Sequence, residues 1–112
     1  MILPLLLLVS LTGAATDATG TWTVHLDPDF SGYQADVTCT FKQEGRKLTG
    51  LCGDEAPLTG DVNDQQLRWT IKTGAKNENT ATFTAAIDDR GRTMTGDWEL
   101  TGRHGKFTAQ KQ

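Results

Sequence analysis

From Trp22 onward the chain alternates apolar and polar residues with a period of two, broken at short intervals by turn residues. Trp22, Val24 and Leu26 stand against Thr21, Thr23 and His25. Tyr33, Ala35, Val37, Cys39 and Phe41 stand against Gln34, Asp36, Thr38 and Thr40. The same parity runs through Leu48, Gly50 and Cys52, then Leu58, Gly60 and Val62, then Leu67, Trp69 and Ile71. It continues in Ala81, Phe83, Ala85 and Ile87, in Met94, Gly96, Trp98 and Leu100, and in Phe107 and Ala109. Alternation of this kind marks strands with one buried face, and no segment carries a helical period.

The breaks read as hairpin links: 27–32, Gln43-Glu44-Gly45-Arg46, 53–57, Asn63-Asp64-Gln65, 73–78, Asp88-Asp89-Arg90-Gly91 and 101–105. They separate eight short strands in simple succession. Threonine tests the facing independently. Thr21, Thr23, Thr38, Thr40, Thr49, Thr59, Thr70, Thr82, Thr84, Thr95 and Thr108 all fall on the polar parity, where a β-branched polar residue suits the solvent side of a strand. The apolar-Thr-Gly triplets at Leu48, Leu58, Met94 and Leu100 repeat this geometry. Inward Gly50, Gly60 and Gly96 let strands curve and leave room for facing aromatic rings. Sequential strands, even spacing and inward glycines predict an all-β fold: an eight-stranded antiparallel up-and-down meander closed into a barrel, which leaves no open edge.

Ile2 to Val9 is a nearly unbroken apolar run that fades into the small residues Gly13-Ala14-Ala15. At roughly ten residues it is too short for a bilayer span, which takes about 20. It reads as a signal peptide over residues 1–15, with cleavage after Ala15 and Ala18 as a second choice. Residues 16–112 then form a single β-barrel domain, secreted or periplasmic, with no membrane span after cleavage. The net charge of −3 is mild and unsegregated, and no basic stripe of the kind nucleic acids require is present. In an oxidising compartment the two cysteines, Cys39 and Cys52, pair as a disulfide. A hairpin closing around Gly45-Arg46 sets them opposite each other, both inward, and the bridge stabilises by about 3 kcal/mol.

Gly20-Thr21-Trp22 resembles the Gly-x-Trp that opens the first strand of avidins and lipocalins. Lys47-Leu48-Thr49-Gly50, Leu67-Arg68-Trp69-Thr70 and Asp97-Trp98-Glu99-Leu100 follow in the order of similar stretches in bacterial avidins. The repeated Leu-Thr-Gly and the ending Gly105-Lys106-Phe107-Thr108-Ala109-Gln110-Lys111 are also similar to small exported bacterial β-domains. The resemblance implies a calycin-type barrel with a ligand end. It does not extend to biotin. Trp69 and Trp98 match two aromatic walls and Phe83 a third, but Cys52 and Asp54 lie where the ureido-binding Tyr and Ser would be. A buried ureido group would lose about 1–3 kcal/mol for each missing partner.

Catalytic chemistry is thinly supplied. Ser31 is the one serine beyond the leader, and Ser31, His25 and Asp29 crowd one strand and loop without a base-and-orienter geometry. His25 reads as an outward strand residue and His104 as a turn residue. Meeting across the seam of the barrel they would offer two metal ligands, where zinc takes three or four. No metal, no cofactor and no enzymatic activity are expected.

Binding is what the architecture permits. The links 27–32, 53–57, 73–79 and 101–105 gather at the barrel end opposite the chain start, and read as longer than the three turns at the other end. They would frame a mouth, rimmed by Asp29, Asn77 and His104 and by the expected ligand contacts Phe30, Tyr33, Asn79 and Arg103, above Trp69 and Trp98. The expected function is a non-enzymatic barrel that binds a small, largely apolar ligand at this mouth. A protein partner, as for a periplasmic protease inhibitor, is the alternative, with the tail Thr16–Thr19 and the outward Leu51 as its surface. The remaining alternative is a structural domain whose core is filled by its own side chains.

Overall fold

A computed structural model describes residues 17–27, 32, 34–53, 56–73 and 76–112. Eight strands follow one another: β1 Gly20–Leu26, β2 Ala35–Glu44, β3 Lys47–Cys52, β4 Ala56–Asn63, β5 Gln66–Thr73, β6 Asn79–Ile87, β7 Thr93–Leu100 and β8 Arg103–Lys111. Each pairs antiparallel with the next, and β8 returns to β1 to close the barrel. Closure is completed beyond the ladder by the Gln112 N–H, which donates to the Thr21 carbonyl at 2.8 Å.

The facing expected from parity holds along every strand. Trp22, Val24, Leu26, Leu48, Leu58, Leu67, Trp69, Phe83, Met94, Trp98 and Phe107 are buried, while among the described residues no threonine is. An apolar lumen with a threonine- and charge-rich exterior is the inverse of a transmembrane barrel, whose outer band is apolar. Among the described residues no helix is long and apolar enough to cross a membrane.

Curvature comes from glycine facing aromatic. Gly50 stands opposite Phe41, Gly60 opposite Trp69 and Gly96 opposite Phe107. A Cβ at Gly50, Gly60 or Gly96 would lie 1.9, 2.0 or 2.0 Å from a carbonyl oxygen of the adjacent strand. The strands therefore approach more closely there than any side chain allows. The rings fill the space so released. Phe41 meets Trp69 edge-on at 5.0 Å, Trp69 stacks on Phe83 at 5.2 Å, and Phe107 sits edge-on to both at 5.7 and 5.5 Å.

The last hairpin differs from the expected turn 101–105. It is a two-residue turn, Thr101-Gly102, with φ of +35° and +76°. Two positive φ values match the twist of the flanking strands and give the tightest antiparallel connection. His104 consequently lies in β8, opposite Glu99, rather than in a turn, and Gly105 becomes a fourth inward glycine, opposite Trp98. The mouth links are thus not uniformly longer than those of the opposite end: 101–102 is short, while 88–92 at the far end is not.

At the far end residues 17–19 pack against the barrel. Ala18 is buried, its carbonyl accepts the Trp22 indole N–H at 2.9 Å, and its N–H donates to Gln43 Oε1 at 2.9 Å. The Gln43 N–H in turn donates to Thr19 Oγ1 at 3.0 Å. Residues 17–19 therefore serve as a plug rather than a free tail. The signal peptide expected over residues 1–15 and Thr16 lie outside the described residues.

Candidate functional site

Alternating strand directions bring the links 27–34, 53–55, 74–78 and 101–102 to one end of the barrel. Beneath them the lumen is not filled. A cavity of about 160 Å³ lies at this end of the barrel, next to the aromatic stack. Its described walls come from six of the eight strands, with Leu26 and Val37 from β1 and β2, Trp69 and Ile71 from β5, Ala81 and Phe83 from β6, and Trp98 and Leu100 from β7. The Cys39–Cys52 disulfide, whose halves face each other directly in the β2–β3 register, forms part of the same wall. Thr73 contributes the one hydroxyl among the described lining residues, which include the indole rings of Trp69 and Trp98.

The cavity exists because the inward side chains shrink toward this end. The middle and far end of the lumen carry Trp22, Phe41, Trp69, Phe83 and Phe107, whereas the mouth end carries Leu26, Val37, Ala56, Ala81 and the disulfide. An eight-stranded barrel is just wide enough to be filled by its own side chains. Aromatic rings do that below, and aliphatic ones fall short above. A self-filled core and an open mouth thus occur in the same barrel, at different heights.

Trp69 and Trp98, expected as ligand contacts, both line the cavity. Asn79 is half-buried at the start of β6, where its Oδ1 accepts a hydrogen bond from Thr101 Oγ1 at 3.2 Å, tying two rim segments together. Arg103 is half-buried opposite Leu100 at the start of β8 and is not part of the described lining. Phe30, Tyr33 and Asp29 lie outside the described residues, and with them the Ser31 arrangement. The lining residues Leu26, Ile71, Ala81 and Leu100 escaped notice as ligand contacts in the sequence. Their signal was inward parity combined with a place one or two residues from a mouth link.

Outside the wall, His25 joins the two strands that flank link 27–34. Its Nδ1 lies 2.5 Å from Asp36 Oδ1 and its Nε2 lies 3.4 Å from Asp27 Oδ1. The hydrogen bond to Asp36, reinforced by the charges of Asp36 and Asp27, raises the His25 pKa above its ordinary value. The β1–β8 register sets His25 opposite Thr108, so His25 and His104 do not meet across the seam. Among the described residues no three His, Cys, Asp or Glu side chains gather as a metal site.

No protein-family model matches the chain, and no curated protein matches it in sequence. Its fold is that of designed barrels. A redesigned β-barrel superposes with a TM-score of 0.64 at 18% identity, over 88% of this chain and 95% of that one. The redesigned barrel mFAP1, solved bound to DFHBI, gives 0.60 at 17% identity over 88% and 98%. A third, mFAP0, also bound to DFHBI, gives 0.58 at 19% identity over 84% and 98%. The class is therefore the closed eight-stranded antiparallel barrel, and at these identities the likeness is one of fold alone.

Proposed function

We propose that this protein is an exported, non-enzymatic barrel that binds a small, largely apolar ligand in the cavity beneath its mouth. The observation that carries the reading is the cavity of about 160 Å³ walled by aliphatic side chains, aromatic rings and a disulfide. An apolar cavity of about 150 Å³ in another protein stays dry and takes up benzene. Barrel mouths are favoured ligand sites, and barrels of this fold have been solved holding DFHBI. Trp69 and Trp98 are the contacts we assign first, with Asn79 and Arg103 at the rim. Export accords with the leader-like start and with a disulfide, which persists in oxidising compartments.

The alternative, a protein-binding module, is supported by Leu51, 46% exposed on the outer face. Surfaces that bind partners are apolar over several hundred Å². One leucine is less than that, so the cavity is the stronger site.

The test is a titration of the exported protein with single-ring aromatic compounds, followed by amide NMR. Binding should perturb residues of the mouth half, Leu26, Ile71, Ala81 and Leu100, and leave the plug at Ala18 and Gln43 unmoved. Ala81→Leu, which places three more carbons in the cavity, should abolish the effect. Perturbations spread evenly over the outer surface, or unchanged in Ala81→Leu, would reject the site.

A further inference from the structure

We infer that the ligand of the mouth cavity is a small amphiphile that sits with its apolar part inward and a hydroxyl or carbonyl oxygen at Thr73. This rests on the cavity being a ligand site, as proposed above, and goes beyond it in giving the ligand a polar end and an orientation.

Thr73 breaks a rule that the other strand threonines keep. In the described strands every other threonine lies on the outward parity. Thr73 follows Leu67, Trp69 and Ile71 on the inward parity of β5, is half-buried, and lines the cavity. Its partner across the ladder is Asn79, also half-buried and on the inward parity of β6. Asn79 Oδ1 in turn accepts a hydrogen bond from the Thr101 hydroxyl at 3.2 Å. Polar side chains thus run along the mouth edge of β5, β6 and the turn that follows β7.

The register makes this edge the top of a gradient. One step deeper, Ile71 pairs with Ala81 and Ala81 with Leu100. Another step down, Trp69 pairs with Phe83 and Phe83 with Trp98. Hydroxyl and amide therefore give way to aliphatic side chains and then to aromatic rings. Two residues of tilted strand separate successive levels by about 5 Å along the barrel axis. The cavity of about 160 Å³ takes roughly one ring, since another protein holds benzene in a similar volume. A ring at the aliphatic level, carrying a short arm, spans the step up to Thr73.

The reverse pose is disfavoured at both ends. An oxygen pointed inward would give up water among aliphatic side chains, rings and the disulfide. Carbon would then cover the Thr73 hydroxyl, which makes no hydrogen bond to another described residue. A hydroxyl both donates and accepts, so an alcohol or a ketone can satisfy it. One such bond changes an equilibrium by roughly fivefold.

The probes are 2-phenylethanol and propylbenzene, which differ by a hydroxyl in place of a methyl. On the unaltered, disulfide-bonded protein, nuclear Overhauser contacts should run from the 2-phenylethanol ring to Ile71, Ala81 and Leu100. Its carbinol protons should contact the Thr73 methyl. Thr73→Val keeps the shape and removes the oxygen, and in it the affinity ratio of 2-phenylethanol to propylbenzene should fall roughly fivefold. Ring contacts at Thr73 with the carbinol below, or an unchanged ratio in Thr73→Val, overturn this inference and leave the cavity reading standing. If neither probe perturbs any mouth residue, the cavity reading fails and takes this inference with it. The contacts are read on the unaltered protein, so the orientation is decided whether or not Thr73→Val folds.

Discussion

Gly60 and Trp69 stand directly opposite one another across β4 and β5, so close that a methyl group on Gly60 would lie 2.7 Å from both Cα and Cβ of Trp69. The glycine lets the sheet fold tightly enough to bring Trp69 into the centre of the lumen. Gly60→Ala should therefore destabilise by about 1–3 kcal/mol through overpacking. Urea unfolding should show a lower midpoint at an unchanged slope, as expected for a loss of stability without a change in unfolded surface.

Residues 17–19 belong to the fold, because Ala18 is buried and pairs with both Trp22 and Gln43. If the proposed leader is cleaved, processing should thus leave Asp17 in place, favouring cleavage after Ala15 over cleavage after Ala18. The intact mass of the exported protein reads this directly. A chain starting at Gly20 would leave the Trp22 indole without its acceptor, and should lose about 1–3 kcal/mol in denaturant unfolding.

Stability should vary with pH through His25. Its pKa in the folded protein is raised above the ordinary 6.5, chiefly by the hydrogen bond to Asp36. The protonated form is thus favoured by folding, and its contribution is fully present below pH 6.5 and is lost as pH rises through the folded-state pKa. Asp88 acts at the acid end. Its carboxylate accepts hydrogen bonds from the Arg92 N–H at 2.8 Å and from the Thr93 hydroxyl at 2.9 Å, and these hold its pKa below 3.8. That contribution is present above pH 3.8 and is lost as pH falls through the depressed value. Thermal melts across both ranges should show the alkaline decline flattened in His25→Gln and the acid decline flattened in Asp88→Ala.

The disulfide serves the barrel twice, as a cross-link between β2 and β3 and as a wall of the cavity. Replacing both cysteines by alanine should cost about 3 kcal/mol. It should also widen the ligand site, so that the double variant accepts bulkier aromatic compounds than the parent. Comparing unfolding midpoints and NMR titrations of the two proteins separates these effects.

Much of this was legible along the chain. A strand places successive side chains on opposite faces, so the alternation around Trp69, Phe83 and Trp98 already specified which residues share the lumen. The Cys39–Cys52 pair followed from the same counting around Gly45-Arg46. The end of the last hairpin did not. Arg103 and Gly105 continue the inward parity of Phe107 and Ala109, but the run Gly102-Arg103-His104-Gly105-Lys106 looks like a turn. Only the pairing of Leu100 with Arg103 shows that the turn is two residues long. Of the cavity lining, the sequence singled out Trp69 and Trp98 and missed the aliphatic wall, because small apolar residues look alike whether they fill a core or line a cavity.

The sequence by itself determined the number of strands, their facing and the disulfide, since each depends on a local period of two and on hairpin-length links. Tertiary structure decided where space remains. Whether a lumen is full depends on how side chains from eight strands sum at each height, a quantity that no single strand carries. Phe41, Trp69, Phe83 and Phe107 converge at one level, while Leu26, Ala81 and Leu100 converge at another. That difference in level is what makes the mouth a cavity.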